Sequence, residues 1–316
     1  MRAAWVLLLI AACHEPSSTA LPSSNAIEDA SVIADVRVVA IEDAALDATE
    51  QPDASPGDML LVPAGTFTMG ADTGGEEDEH PAHPVTLPAF WLDTTHVTNG
   101  AYRVCVEAHV CKESDPQAAS REHGGKDEDF LRPTQPVMGV SWTDAKTYCE
   151  WNHKRLPREA EFERAMRGDD NRKYAWGNEP PTAGRTVFDR RFGLPTSTTD
   201  DVGTHPLGNG PYGHADLAGQ VWEWMADEYD PYAYHRKTAD HGVPGNCQEI
   251  LTALWELKTQ GKQGFTGTNP LPLECEHVLR GGAFNYDARG LRATNRVHHP
   301  GRFRLVMAGL RCAKDF

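Results

Sequence analysis

Asp216-Leu-Ala-Gly-Gln-Val-Trp-Glu-Trp-Met-Ala-Asp227 gathers three carboxylates, two indoles and a glycine within a dozen residues. Val221, Trp222 and Trp224 are β-formers with large areas to bury. Alternation along a short strand puts Trp222 and Trp224 on one face and Val221 and Glu223 on the other. A carboxylate on a mostly apolar face needs a partner. A calcium ion is one such partner: Asp216 and Glu223 offer hard oxygens, and the Gly219 and Val221 carbonyls complete a shell. The other reading is that Glu223 accepts backbone N–H bonds or pairs with an arginine.

Outward from this stretch, the 316 residues carry a net charge of −16, with 40% hydrophobic and 24% charged residues and eight tryptophans. That balance describes a globular chain with ample core, and its sign excludes nucleic acid and anionic membrane surfaces as partners. The first residues, Met-Arg-Ala-Ala-Trp-Val-Leu-Leu-Leu-Ile-Ala-Ala-Cys13, place one positive residue before a short apolar run. This is the pattern of a signal peptide over 1–12, since a membrane span needs about 20 apolar residues. Ile10-Ala-Ala-Cys13 resembles a bacterial lipobox, so Cys13 is expected to become a lipidated N-terminus. Residues 13–57 set nine acids against Arg37 alone, a self-repelling composition expected to act as an acidic, disordered tether. These features predict an exported chain, lipid-anchored to the bacterial cell envelope, with His14 beside the cysteine favouring an outer membrane.

The folded part is predicted over 58–316. Thr98 caps a helix running to about Ala108. Ser141 and Asp144 form a capping box ahead of another, and the third starts at Pro157 and ends at Gly168. The acidic run Glu76 to Glu79 with His80 and His83 is bounded by glycines and prolines, so it reads as a solvated loop. Residues 169–215 are rich in Gly, Pro, Asn, Asp and Thr, which predicts long ordered loops of the kind that carry function.

Eight segments carry a family resemblance, in order along the chain. They are Leu61-Val-Pro-Ala-Gly-Thr-Phe-Thr-Met-Gly70, Asp93 to Asn99, Pro136-Val-Met-Gly-Val-Ser-Trp142, Arg155-Leu-Pro-Arg-Glu-Ala-Glu-Phe-Glu-Arg164, Tyr174-Ala-Trp-Gly177, Asp216 to Trp224, Arg280-Gly-Gly282 and Gly309-Leu-Arg-Cys-Ala313. Together they resemble the formylglycine-generating enzyme, or sulfatase-modifying factor, family. The resemblance implies an α+β fold, a single compact variant of the C-type lectin fold with little regular secondary structure. It also implies a structural calcium ion, whose family site falls on Asp216, Gly219, Val221 and Glu223.

Active members of that family hold copper(I) on two cysteines shortly after the Gly-Gly pair and use dioxygen to oxidise a sulfatase cysteine. In this chain the aligned positions are Tyr286 and Leu291, neither of which supplies the soft thiolate that copper(I) requires. The namesake reaction by the namesake mechanism, and copper with it, are therefore not expected. With Cys13 assigned to lipid, six of the seven cysteines remain, an even number that in an exported domain suggests three disulfides. Cys149 and Cys312 match a structural disulfide of the family. Cys105 with Cys111 and Cys247 with Cys275 are local partners, the latter flanking an insertion at about 235–277.

The last forty residues concentrate arginine. Arg280, Arg289 and Arg296, with Tyr286, are candidates to bind carboxylate or phosphate groups on a peptide, protein or glycan. The competing reading pairs these arginines with the acids of the domain. Two functions follow: a binding module presented at the envelope, or an oxidoreductase of the family with altered chemistry.

Overall fold

A computed structural model describes residues 58–115, 130–190, 198–235, 246–259 and 274–316. The signal peptide, Cys13 and the tether lie outside the described residues, as does much of the 235–277 insertion. No described helix is long and apolar enough to cross a membrane.

Nine strands and four helices appear among the described residues, in a mixed α+β arrangement. β1 (Met59–Val62) pairs antiparallel with β4 (Phe90–Asp93), which also pairs with β9 (Ala313–Asp315). β2 (Gly65–Met69) and β3 (His83–Leu87) form a separate antiparallel pair. The third sheet runs in the order β7 (Val297–Pro300), β6 (Glu276–Arg280), β5 (Trp222–Glu228), β8 (Ala308–Gly309), with β8 parallel to β5. The opening stretch thus supplies a central strand, as its β-forming residues predict.

The helix signals hold locally. The Thr98 side chain accepts from Ala101 N–H and starts α1 (Asn99–Glu107). Ser141 and Asp144 cap reciprocally at α2 (Trp142–Trp151). α3 (Glu159–Arg167) begins two residues beyond Pro157, with Arg158 as its N-cap, and ends at Gly168 with φ 62°, a positive φ that glycine takes without a Cβ clash. α4 (Cys247–Thr259) lies within the insertion, where no helix was predicted.

Two apolar cores flank this frame. One packs α3 through Ala160, Phe162, Ala165 and Met166 against β2, β3 and β4. The other joins α1 and α2 to Trp222, Trp224 and Leu279. Both indoles are fully buried, and rings of that size contribute roughly 4–6 kcal/mol each by area. Trp222 and Trp224 share the second core, whereas Val221 belongs to a small third cluster with Phe130, Met138, Val187 and Phe284. The expected alternation of faces is visible in that separation. All three expected disulfides are present: Cys105–Cys111, Cys149–Cys312 and Cys247–Cys275.

The acidic run departs from its reading as a solvated loop. Asp78 and Glu79 are buried. Glu79 accepts from Arg292 at 2.6 and 2.7 Å and from Thr294 Oγ1 at 2.6 Å. Asp78 accepts from the Tyr229 hydroxyl at 2.8 Å. Arginines far along the chain draw the run inward, a pairing that local composition does not reveal.

Candidate functional site

β6 ends at Arg280, and Gly281 and Gly282 follow with φ of 95° and 85°. A Cβ at Gly282 would lie 2.8 Å from the Gly290 carbonyl oxygen, so the turn needs glycine to bring the two limbs of the loop together. The loop between them is pinned from outside. Phe284 N–H donates to Gln220 O, Arg190 N–H to Phe284 O and Asp189 N–H to Tyr286 O, at 2.7–2.8 Å. Gln220 and Asp189 adopt left-handed φ of 63° and 52° to make these contacts, a local strain that the surrounding bonds hold in place.

Tyr286 stands on this loop 38% exposed, its ring edge-on to the buried Trp222 with centroids 5.2 Å apart. Burial raises its hydroxyl above the usual range, and the neighbouring Trp222 indole opposes that only in part. Beside it, Asn285 reaches Met307 Sδ through Nδ2. The Asn285 amide oxygen is buried with no hydrogen-bond partner among the described residues, an uncommitted acceptor at the loop's base. Leu291 is fully buried in the first core. Tyr286 is therefore a surface phenol and Leu291 a core aliphatic. All six described cysteines are in disulfides.

The arginine expectation requires correction. Arg280 and Arg296 are buried and do not face the loop surface. Arg280 pairs with Glu163 and donates to the carbonyls of Ala293, Thr294 and Asn295 at 2.6–2.9 Å. Arg296 forks onto Glu159 at 2.7 and 3.0 Å. Burial by itself would push the Glu159 carboxyl up, but Arg296 and Arg280 outweigh it and hold it below the usual carboxylate range. The competing reading, pairing with domain acids, is the one seen for both arginines. Arg289 is 83% exposed on its side chain and pairs with Asp287, so Tyr286 and Arg289 alone of the four remain at the surface.

The expected calcium ligands lie on one continuous segment. Glu223 accepts from Arg311 Nε at 2.6 Å and Nη2 at 2.9 Å, and His96 Nε2 is 3.1 Å from its Oε1. The pairing of Glu223 with an arginine is thus present. Burial raises the Glu223 carboxyl, and Arg311 and His96 more than reverse it, leaving it below the usual range. Asp216, at φ 55°, accepts from Gly203 N–H at 2.6 Å. The carbonyls of Ala218 and Gln220 are taken by Thr186 Oγ1 and Phe284 N–H. Those of Gly219 and Val221 receive no backbone hydrogen bond among the described residues. A calcium ion here would take the two carbonyls and would have to share Glu223 with Arg311, which already engages both of its oxygens. His96 and Arg311 escaped the sequence reading because both lie more than 85 residues from Glu223.

The sulfatase-modifying factor enzyme 1-like domain model matches residues 44–316. A formylglycine-generating enzyme of Streptomyces coelicolor is 33% identical over 257 residues, covering 66% of this chain and 82% of that protein. The chain belongs to the sulfatase-modifying factor enzyme 1-like family. A hercynine oxygenase of Mycolicibacterium thermoresistibile is 30% identical over 289 residues, 82% of this chain but only 59% of that protein. The chain thus spans about three-fifths of that relative's length. Among solved structures, PvdO from Pseudomonas aeruginosa superposes with a TM-score of 0.59 over 82% of this chain and 94% of its own, at 23% identity. This likeness establishes the fold. The sulfatase-modifying-factor-like architecture accounts for the Gly-Gly turn, the short sheets and the loop that carries Tyr286.

Proposed function

We propose that this chain is an envelope-anchored, sulfatase-modifying-factor-like module that binds an exported peptide or glycan at the Tyr286 loop and does not run the two-cysteine oxidation. One observation carries the reading: every described cysteine is already bonded to another, which leaves no free thiolate among the described residues. A half-exposed phenol set edge-on to a buried indole suits binding by stacking and by hydrogen bonding to its hydroxyl. The lipid anchor at Cys13 is part of the proposal, as is a structural calcium ion held by Asp216, Gly219, Val221 and Glu223.

The match to hercynine oxygenase over most of this chain favours a second reading, an oxidoreductase of the family with different chemistry. Copper(I) titration, with dioxygen consumption measured on a cysteine-containing sulfatase peptide, separates the two. The binding reading expects no stoichiometric copper(I) uptake and no peptide-dependent oxygen consumption. Turnover on that peptide overturns it.

A further inference from the structure

The turn that follows Tyr286 holds one guanidinium in place. Gly290 N–H donates to Asp287 O at 3.1 Å and closes it. A Cβ at Gly290 would lie 3.3 Å from Tyr286 Cβ, so the chain folds back on the phenol and brings Arg289 round beside it. Asp287 grips Arg289 twice: its Oδ1 accepts the Arg289 N–H at 2.9 Å, and its two oxygens lie 3.2 and 3.0 Å from Arg289 Nε. On the core side, Arg292 Nε donates to Arg289 O at 3.1 Å, and Arg292 itself forks onto the buried Glu79 at 2.6 and 2.7 Å. A second arginine thus ties the turn to the interior.

Two features of this arrangement select a ligand. The Arg289 side chain stands in solvent with only its Nε engaged, and no hydrogen bond reaches Nη1 or Nη2 among the described residues. A guanidinium held in this way offers both Nη groups end-on as a fork that matches a carboxylate, with part of its ordering already made. The backbone, by contrast, is largely committed. Phe284 bonds through N–H and carbonyl to Gln220 and Arg190, Tyr286 to Ala283 and Asp189, and Arg289 to Asp287 and Arg292. An extended peptide adds to an edge by pairing with the N–H and carbonyl of alternate residues, and Phe284 and Tyr286 have neither to give. Recognition therefore falls to side chains, a ring face and a fork. A sugar acid matches that pair: the C–H face of its pyranose lies on the phenol while its carboxylate meets the fork.

We propose that the Tyr286 loop takes a uronic acid residue of a short acidic oligosaccharide, Tyr286 carrying the sugar ring and Arg289 deciding for the acid over the neutral sugar. The inference rests on the reading of this loop as a binding site and names the ligand class of that site. A net charge of −16 opposes a long polyanion, so the loop holds one carboxylate at one fork rather than a charged tract.

Calorimetry of the full-length protein tests it, with trimers of galacturonate, glucuronate and mannuronate, the methyl ester of each, and an aspartate-rich peptide of equal charge. At least one uronate trimer should bind about tenfold or more tightly than its own ester. Arg289→Gln should bring the acid down to the level of the ester and leave the ester where it was. Arg289→Lys, which keeps the charge without the fork, should fall between, and Tyr286→Ala should weaken acid and ester alike. Equal binding of acid and ester, or tighter binding of the peptide, overturns the ligand class while the loop stands as a binding site. Uronate binding that survives Tyr286→Ala, or no binding of any trimer, ester or peptide, overturns both.

Discussion

Single residues here are decided by what faces them rather than by what flanks them in sequence. Asp227 ends the opening stretch, and its Oδ2 accepts from Glu159 N–H at 2.6 Å, at the first turn of α3. Burial first, and then the negative charge of Glu159, push its carboxyl up to about 8. The folded state therefore prefers the neutral acid. Its contribution is complete below the unfolded carboxyl's ordinary pKa and is lost as pH rises from there through about 8, at roughly 1.4 kcal/mol per pH unit in between. Asp227→Asn keeps the acceptor and removes the titration. Urea denaturation between pH 5 and 9 should show wild-type stability falling relative to the variant as pH rises. Parallel curves for the two proteins would assign Asp227 an ordinary pKa. Glu223 is the companion case. If it shares an oxygen with calcium, millimolar calcium should raise the melting temperature, and Glu223→Gln should abolish that response. Ligand held at a hundredfold its Kd stabilises by about 2.7 kcal/mol. A calcium response that survives in the variant places the ion elsewhere.

At the scale of elements, α3 gathers buried ion pairs from distant parts of the chain. Its Glu159 and Glu163 face Arg296, in the segment after β6, and Arg280, at the end of β6, and Arg167 returns to Glu163 at 3.1 Å. Such a buried network adds little over an apolar core of the same shape, yet removing one partner leaves an uncompensated charge. Arg280→Ala should cost about 3–5 kcal/mol in denaturant unfolding, while Arg289→Ala, on an exposed side chain, should stay within about 0.5 kcal/mol. Equal effects would mean that Arg280 is not the internal counterion described here. The contrast also explains a misreading. Seven arginines in the last forty residues of an acidic chain look like a binding surface, and composition alone does not say which of them turn inward.

For the molecule as a whole, the sequence is most legible where the determinant is local. Thr98, Ser141 with Asp144, and Gly168 mark helix ends because a cap needs only its own turn. Trp222 and Trp224 mark a strand because alternation and size act over three residues. The motif series fixes the family, and with it the pairing of Cys149 with Cys312. What stays hidden is set by separation: Glu79 meets Arg292 and Glu223 meets Arg311 only after the sheets close, so neither the burial of the acidic run nor the occupant of Glu223 could be read from neighbours. The same separation assigns the disulfides unequal weight. Cys149 on α2 and Cys312 just before β9 are 163 residues apart, whereas Cys105 and Cys111 are separated by 6. By loop-closure entropy the long crosslink restricts the unfolded chain by about 5 kcal/mol and the short one by about 2. Paired Cys→Ala substitutions, each compared with wild type by urea denaturation, should therefore lower stability about twice as much for Cys149 and Cys312 as for Cys105 and Cys111. All four of these cysteines are buried in the second core, so the packing lost is of the same kind in both and loop length is what separates them. An equal or reversed order would show that the unfolded chain is already compact enough to hide the longer loop, and would locate the crosslink's effect in the folded state instead.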